Sequence, residues 1–237
     1  MPSRLQQRLP DGWKLSRHQI KTYEALTRPN GPDVVFNTAM TGDGKSLAGQ
    51  LPSLVEGWGR PLFAMYPTNE LIRDQRRQAG TTWQRWNQYT EAIVELNSGE
   101  LDKLMEAGDY TTRGDALINL TRNYDVVLTN PDIFHYIMQM FYRRQGKNSD
   151  APDRVIAPLT TIFQQFTFDE FHVFETPQVV SVMNALLLIH QLAGPGRRRQ
   201  FLFQSATPHS LLQEYLTRAG LSVEVVAGEY THTTARP

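Results

Sequence analysis

The chain has 237 residues, 40% hydrophobic and 20% charged, enough for one α/β domain, or a domain and a half, with a buried core. Lys plus Arg and Asp plus Glu each total 24, so the formal net charge is zero; free-standing non-specific nucleic-acid binders run basic, so any such contact here must come from a local patch or be shared with another domain. The lack of cysteine excludes disulfides, cysteine-ligated zinc and iron–sulfur clusters; no apolar run reaches membrane-spanning length and Met1–Arg8 has no apolar stretch of the secretory kind, so a cytoplasmic protein with no membrane partner is expected.

Taken in order, residues 1–16 are polar and read as a loosely held arm, set apart from a domain over 17–237. Residues 17–26 have helical spacing, with Ile20, Tyr23 and Leu26 on one face, and the cluster Thr27-Arg28-Pro29-Asn30-Gly31-Pro32 ends that helix. Residues 33–38 read as a buried strand. Ala39-Met40-Thr41-Gly42-Asp43-Gly44-Lys45-Ser46 follows, then a helix at about 46–57. A second strand at 61–66 runs into Pro67-Thr68-Asn69-Glu70-Leu71 and a long polar helix in which Arg73, Arg76, Arg77 and Arg85 lie beside Trp83 and Trp86. The two tryptophans and Tyr89, at helical spacing, read as core or rim packing.

A strand near 92–96 and two short helical patterns lead to a clear strand at 124–129, ending in Asn130-Pro131-Asp132 and a helix over 133–143. Residues 144–154 have the composition of a disordered loop. A helix at 156–166 precedes Thr167-Phe168-Asp169-Glu170-Phe171-His172, and an apolar helix at 177–193 ends at Gly194-Pro195-Gly196. The strand 200–204 ends in Ser205-Ala206-Thr207-Pro208, and a helix and the strand 223–226 complete the pattern. Strands alternating with helices predict an α/β fold with a mostly parallel sheet covered by helices on both faces. Ligands of such sheets bind where strands end, and the unusual residues all fall there.

Strand, glycine-containing turn, Lys-Ser and helix form the geometry that holds a nucleoside triphosphate. Backbone N–H groups face the phosphates, Gly42 and Gly44 let the chain curl, Lys45 supplies positive charge, and the Ser46 hydroxyl can ligate Mg²⁺. Ala39 stands where the full pattern has glycine. Asp169 and Glu170 are the partner this turn needs: one carboxylate for the metal, the other to orient and deprotonate water.

With these motifs in this order, the chain resembles the first RecA-like domain of a superfamily-two DExH helicase, a RecA-like P-loop NTPase fold. Residues 39–46 are similar to motif I of that family, in which a leading Ala is normal. Pro67–Leu71 with Gln75 resembles motif Ia. Thr129-Asn130-Pro131 resembles motif Ib with an extra Asn. Asp169–His172 resembles motif II and Ser205-Ala206-Thr207 motif III. Within the family, Asn37–Ser46 together with Asp-Glu-Phe-His is most similar to the CRISPR-associated helicase of type I-D systems.

The resemblance implies ATP and Mg²⁺ as cofactors. Thr41, Gly42, Asp43, Gly44, Lys45 and Ser46 would hold the nucleotide, Gln19 would read adenine, and Ser46 and Asp169 would hold the metal. Lys45, Asp169 and Glu170 would carry catalysis, with Glu170 the general base. His172, Ser205 and Thr207 would couple nucleotide state to movement. Thr68, Thr129 and Arg76 would lie along single-stranded DNA. A second RecA-like domain with an arginine finger is also implied and is not found before Pro237, so slow hydrolysis by this chain alone is expected. The resemblance further implies a CRISPR effector complex and an HD nuclease as partners, the nuclease a separate one because no histidine here is followed by Asp. Two alternatives are an ATP-binding recruitment module without turnover and a restriction-type translocase subunit.

Overall fold

The computed structural model describes residues 1–40, 42–56, 60–86, 90–142, 151–193, 198–207 and 210–228. The six runs read as strands, together with Gln165–Phe168, form seven strands: β1 (Val34–Asn37), β2 (Leu62–Met65), β3 (Ile93–Leu96), β4 (Val126–Thr129), β5 (Gln165–Phe168), β6 (Gln200–Gln204) and β7 (Val223–Val226). They pair in the order β3-β4-β2-β5-β6-β1-β7, every pair parallel. The five inner strands are buried along their whole length, whereas the edge strands β3 and β7 are partly exposed. Double-sided burial is why the inner strands read as continuous apolar runs rather than alternating ones.

Helices α1 (Ser3–Arg8), α2 (Arg17–Thr27), α3 (Lys45–Glu56) and α4 (Asn69–Arg85) precede β3. Then α5 (Ser98–Glu106) and α6 (Arg113–Asn123) precede β4, and α7 (Pro131–Tyr142) and α8 (Ala151–Thr161) precede β5. Finally α9 (Thr176–Leu192) and α10 (Ser210–Arg218) flank β6. One face of the sheet packs α1, α3 and α4 around Leu5, Leu51, Leu54, Ile72 and Trp83. The other packs α6 to α9 around a cluster rich in phenylalanine. Trp83 and Trp86 are 1% and 5% exposed, as packing residues should be. None of the described helices is long and apolar enough to cross a membrane.

Within that second cluster, registered rings stack across β1, β6 and β5. Phe36 and Phe203 have centroids 5.0 Å apart, Phe203 and Phe168 4.6 Å, and Phe201 and Phe166 5.4 Å. Such pairs contribute about 0.5–1.5 kcal/mol each beyond area burial. The ladder fixes the carboxyl ends of three adjacent strands side by side, and residues 38–44, 169–170 and 205–207 leave the sheet there.

The amino-terminal arm is not loosely held. Residues 3–8 form α1, Leu5 is fully buried, Leu9, Trp13 and Leu15 pack on the same cluster, and Arg4 Nη1 pairs with Glu56 at 2.7 Å. The helix expected over 156–166 runs instead from Ala151 to Thr161, because Gln165–Phe168 is drawn into the sheet between β2 and β6. Of the loop expected over 144–154, residues 144–150 lie outside the described residues, and 151–154 open α8.

Candidate nucleotide-binding site

The turn after β1 is held from beneath before it meets any ligand. Asn37, fully buried, accepts from the Ala39 N–H at 3.0 Å through Oδ1, and its Nδ2 donates to Thr22 Oγ1 at 3.1 Å. The same Nδ2 lies 3.2 Å from His18 Nδ1, and His18 Nε2 lies 2.9 Å from the Asp43 carbonyl. Gln19 Nε2 donates to the Gly44 carbonyl at 3.0 Å, and its Oε1 accepts from the Ser16 N–H at 2.9 Å in a capping box that starts α2. Gln204 at the end of β6 donates to the Lys45 carbonyl. Asp43 is exposed and its carboxylate accepts from the Met40 N–H at 3.2 Å.

Both glycines of the turn lie in the left-handed region, with φ of 91° at Gly42 and 77° at Gly44. A Cβ at Gly44 would stand 2.6 Å from Gln19 Nε2 and push that side chain from its bond to the turn, so conformation is the main demand for glycine here. Thr41 lies outside the described residues. The helix α3 then opens at Lys45 with its N-terminal end facing the turn.

Lys45 is 4% exposed, and among the described residues its Nζ has no hydrogen-bond partner. It pairs with Glu170 Oε1 at 3.7 Å. Ser46 Oγ donates to Asp169 Oδ2 at 2.7 Å, and the Glu170 N–H donates to Asp169 Oδ1 at 3.0 Å. Burial pushes the Asp169 carboxyl up to about 6, with the neighbouring Glu170 charge adding to the rise and the Ser46 hydroxyl opposing it. Glu170 has φ 46° and ψ 41°, the one positive φ outside glycine among the described residues. That conformation turns its carboxylate back toward Lys45 and is the strained kind that collects at functional sites.

His172 Nδ1 sits 3.4 Å from Glu170 Oε2 and 3.3 Å from Ser205 Oγ, while Ser205 Oγ also donates to the Thr207 carbonyl at 3.1 Å. The structure thus brings Lys45, Ser46, Asp169, Glu170, His172 and Ser205 into one chain of contacts. An ammonium with no close acceptor, a buried carboxylate with a raised pKa and a glycine-lined turn at a helix N-terminus fit a magnesium-bound triphosphate. Sequence reasoning missed the supports, Asn37, His18 and Gln204. Their partners lie far away in the chain and no local pattern marks them.

The residues expected along a nucleic-acid strand divide. Thr68 is exposed and caps α4, accepting from the Leu71 N–H at 3.3 Å. Arg76 is half-buried and donates to the Thr90 carbonyl at 3.3 Å. Thr129 is corrected: it is fully buried and its hydroxyl donates to the Leu96 carbonyl at 2.7 Å, so its side chain is not presented to a strand. Both faces of β4 are covered, so a residue on it is buried whichever face it takes. Beside it, Asn130 of the same stretch lines a small cavity of about 120 Å³ with Ser98, Arg113, Asp132 and Tyr136.

A phosphate turn after an inner strand, with the acidic pair two strands away and a serine at the end of the strand between, is the arrangement of a RecA-like P-loop domain. The chain belongs to the DEAD/DEAH box helicase family, whose match spans residues 16–215. No match is found among curated protein sequences. Among solved structures the chain is similar to a hypothetical ATP-dependent RNA helicase from Sulfolobus tokodaii, at 20% identity and TM-score 0.58, covering 96% of this chain and 57% of that one. It is also similar to the DUF1998 helicase MrfA bound to DNA, at 18% identity and TM-score 0.63, covering 96% and 30%. Helicase Lhr of Mycobacterium smegmatis, bound to ssDNA and AMP-PNP, matches at 16% identity and TM-score 0.63, covering 96% and 28%. At such identities the likeness shows the fold, and the chain spans between 28% and 57% of the length of these three.

Proposed function

We propose that this chain is the ATP-binding half of a nucleic-acid translocase that moves along single-stranded DNA when a second RecA-like domain closes over its nucleotide. The observation that carries the reading is the meeting of the phosphate turn with the acidic pair, Ser46 on Asp169 at 2.7 Å and Lys45 facing Glu170 at 3.7 Å. In this reading Gly42, Asp43, Gly44 and Lys45, with Thr41, cradle the phosphates, and Ser46 and Asp169 hold Mg²⁺. Bound ATP·Mg²⁺ supplies the phosphoanhydride bond to be broken and a metal charge beside it. Lys45 moves from Glu170 to the phosphate oxygens. Glu170, released, orients a water and takes its proton. His172, Ser205 and Thr207 sense whether Glu170 is engaged.

Thr68, Arg76 and the cavity at Asn130 are the proposed strand path, contacting phosphates without reading sequence. The preference for DNA rests on the resemblance to type I-D CRISPR helicases and on the DNA-bound neighbours. With it comes the proposal that a CRISPR effector complex recruits the chain and that a separate HD nuclease cuts. Equilibrium binding of a fluorescent ATP analogue to the wild-type and Lys45→Ala chains tests the core of this reading. A drop in affinity of about tenfold or more on losing the ammonium is expected. Equal affinities would leave no phosphate site at this turn. Competition between ssDNA and ssRNA oligonucleotides separates the two nucleic acids, and tighter RNA binding would replace the DNA substrate.

A further inference from the structure

Three consecutive carbonyls of the phosphate turn are each held by a side chain from another element. From the first turn of α2, His18 Nε2 lies 2.9 Å from the Asp43 carbonyl and Gln19 Nε2 donates to the Gly44 carbonyl at 3.0 Å. From the end of β6, Gln204 Nε2 donates to the Lys45 carbonyl. His18 is 5% exposed and Gln204 is fully buried, so both bonds lie where water competes least.

A peptide unit is planar and trans, so its N–H points opposite to its carbonyl. Fixing the carbonyls of Asp43, Gly44 and Lys45 therefore aims the N–H groups of Gly44, Lys45 and Ser46. These are the last N–H of the turn and the first two of α3, and the first N–H groups of a helix have no partner inside it. Successive N–H groups about a left-handed residue, here Gly44 at φ 77°, form the concavity that takes anions. Satisfying buried polar groups does not account for the convergence. The Gly44 carbonyl already accepts from the Ala48 N–H at 3.3 Å, and it is held a second time by Gln19.

The protonation of the His18 ring follows from its partners. A carbonyl can only accept, so Nε2 carries the proton and donates to Asp43. Asn37 Oδ1 accepts from the Ala39 N–H, so its Nδ2 is the group facing His18 Nδ1 at 3.2 Å, and Nδ1 is bare. A ring protonated at Nδ1 would set two donors face to face.

We propose that His18 and Gln204 are positioning residues for nucleotide binding: His18 as the Nε2–H tautomer, and Gln204 from the other side, aim the backbone N–H groups of residues 44 to 46 at the phosphates. The proposal rests on the reading of this turn as a phosphate site and assigns what shapes it.

Titration of the isotope-labelled full chain with inorganic tripolyphosphate, followed on the backbone amides, reads the turn without a base. Wild type is expected to bind, with saturable shifts at Gly44, Lys45 and Ser46. His18→Ala and Gln204→Leu should each weaken binding about five- to tenfold, the usual worth of one hydrogen bond. His18→Gln carries an amide to the place of Nε2 and should stay within about twofold of wild type, whereas His18→Asn reaches only the place of Nδ1 and should be as weak as His18→Ala. The ring nitrogen signals of wild-type His18 at neutral pH should show a proton on Nε2 alone. Binding by His18→Ala equal to wild type, a loss in His18→Gln as large as in His18→Asn, or a ring protonated at Nδ1 overturns the positioning role and leaves the phosphate site standing. Failure of wild type to bind tripolyphosphate overturns the phosphate reading, and this proposal with it. If His18→Ala does not fold, Gln204→Leu and the comparison of His18→Gln with His18→Asn decide the question.

Discussion

The Ser46 hydroxyl donates to Asp169 Oδ2 at 2.7 Å, joining the start of α3 to the end of β5 across 123 residues of sequence. Both groups are proposed metal ligands, and the bond holds them side by side. Ser46→Ala removes a ligand and leaves Asp169 in place. Outer-shell partners of protein metals are typically worth about 10–100-fold in affinity, and a direct ligand should be worth at least as much. Titrating Mg²⁺ against a fixed concentration of a fluorescent ATP analogue should therefore show the midpoint rising by about 10-fold or more. An unchanged midpoint would remove Ser46 from the metal site.

Asp169 is 3% exposed, and burial pushes its carboxyl from 3.8 up to about 6. Between about pH 4 and pH 6 the folded chain holds a proton that the unfolded chain has released, so stability falls as pH rises through that window. The cost is fully present above pH 6 and amounts to at most about 3 kcal/mol. Asp169→Asn, in metal- and nucleotide-free protein, is expected to raise the unfolding midpoint at pH 7.5 by several degrees, and the gain should vanish near pH 4. Thermal unfolding at the two pH values checks it. A variant less stable than wild type at pH 7.5 would mean that the Ser46 and Glu170 contacts outweigh desolvation.

Glu170→Gln keeps the shape of the side chain but removes both its basicity and its pairing with Lys45. Loss of a general base typically lowers turnover by about 10²–10⁴. Affinity for ATP should hold or rise, because Lys45 no longer has a competing carboxylate. ATPase measured together with a second RecA-like domain and ssDNA checks the first part, and equilibrium binding the second. Turnover equal to wild type would favour an interaction module that uses ATP as a structural element.

Much of this architecture is legible in the chain because its signals are local. Six of the seven strands are short runs that read as strands from the chain alone, while the start of β5 is hidden under a helical spacing that continues to residue 166; the phosphate turn and acidic pair sit at strand ends, where ligands of parallel sheets gather. What was illegible depends on distant partners. In α1 one buried side chain, Leu5, anchors an otherwise polar segment, too sparse a pattern to read as docked. Gln165 and Gln204 look like surface residues, but each is fully buried and donates to a backbone carbonyl of α3. Thr129 has the residue type of a phosphate contact, and only its burial, with its hydroxyl on the Leu96 carbonyl, removes it from that role.

Gly49 lies where α3 crosses the sheet. A Cβ there would stand 3.1 Å from Gln204 Oε1, 3.2 Å from Thr167 Cγ2 and 3.3 Å from Leu202 Cδ2. The contact holds the first turn of α3 in place, so a larger residue would lift Lys45 and Ser46 from the acidic pair. Gly49→Val is expected to destabilise the fold by about 1–3 kcal/mol, as overpacking usually does, and to weaken ATP binding in the residual folded protein. Denaturant unfolding and nucleotide titration measured together check both. Normal stability would show that the helix can shift without cost.

Gln19 carries two expectations that one substitution separates. Both ends of its amide are engaged inside the protein, on the Ser16 N–H and the Gly44 carbonyl, so it latches α2 to the phosphate turn. Reading adenine would require one of these bonds to open. Gln19→Ala removes the latch, at about 1 kcal/mol in the ligand-free fold by the usual value of a hydrogen bond. If the side chain also reads the base, the variant should lose its preference for ATP over GTP, with ATP affinity falling while GTP affinity stays nearly level. Equal losses for the two nucleotides would leave the latch intact as an explanation and end the adenine reading. Wild-type stability would do the reverse.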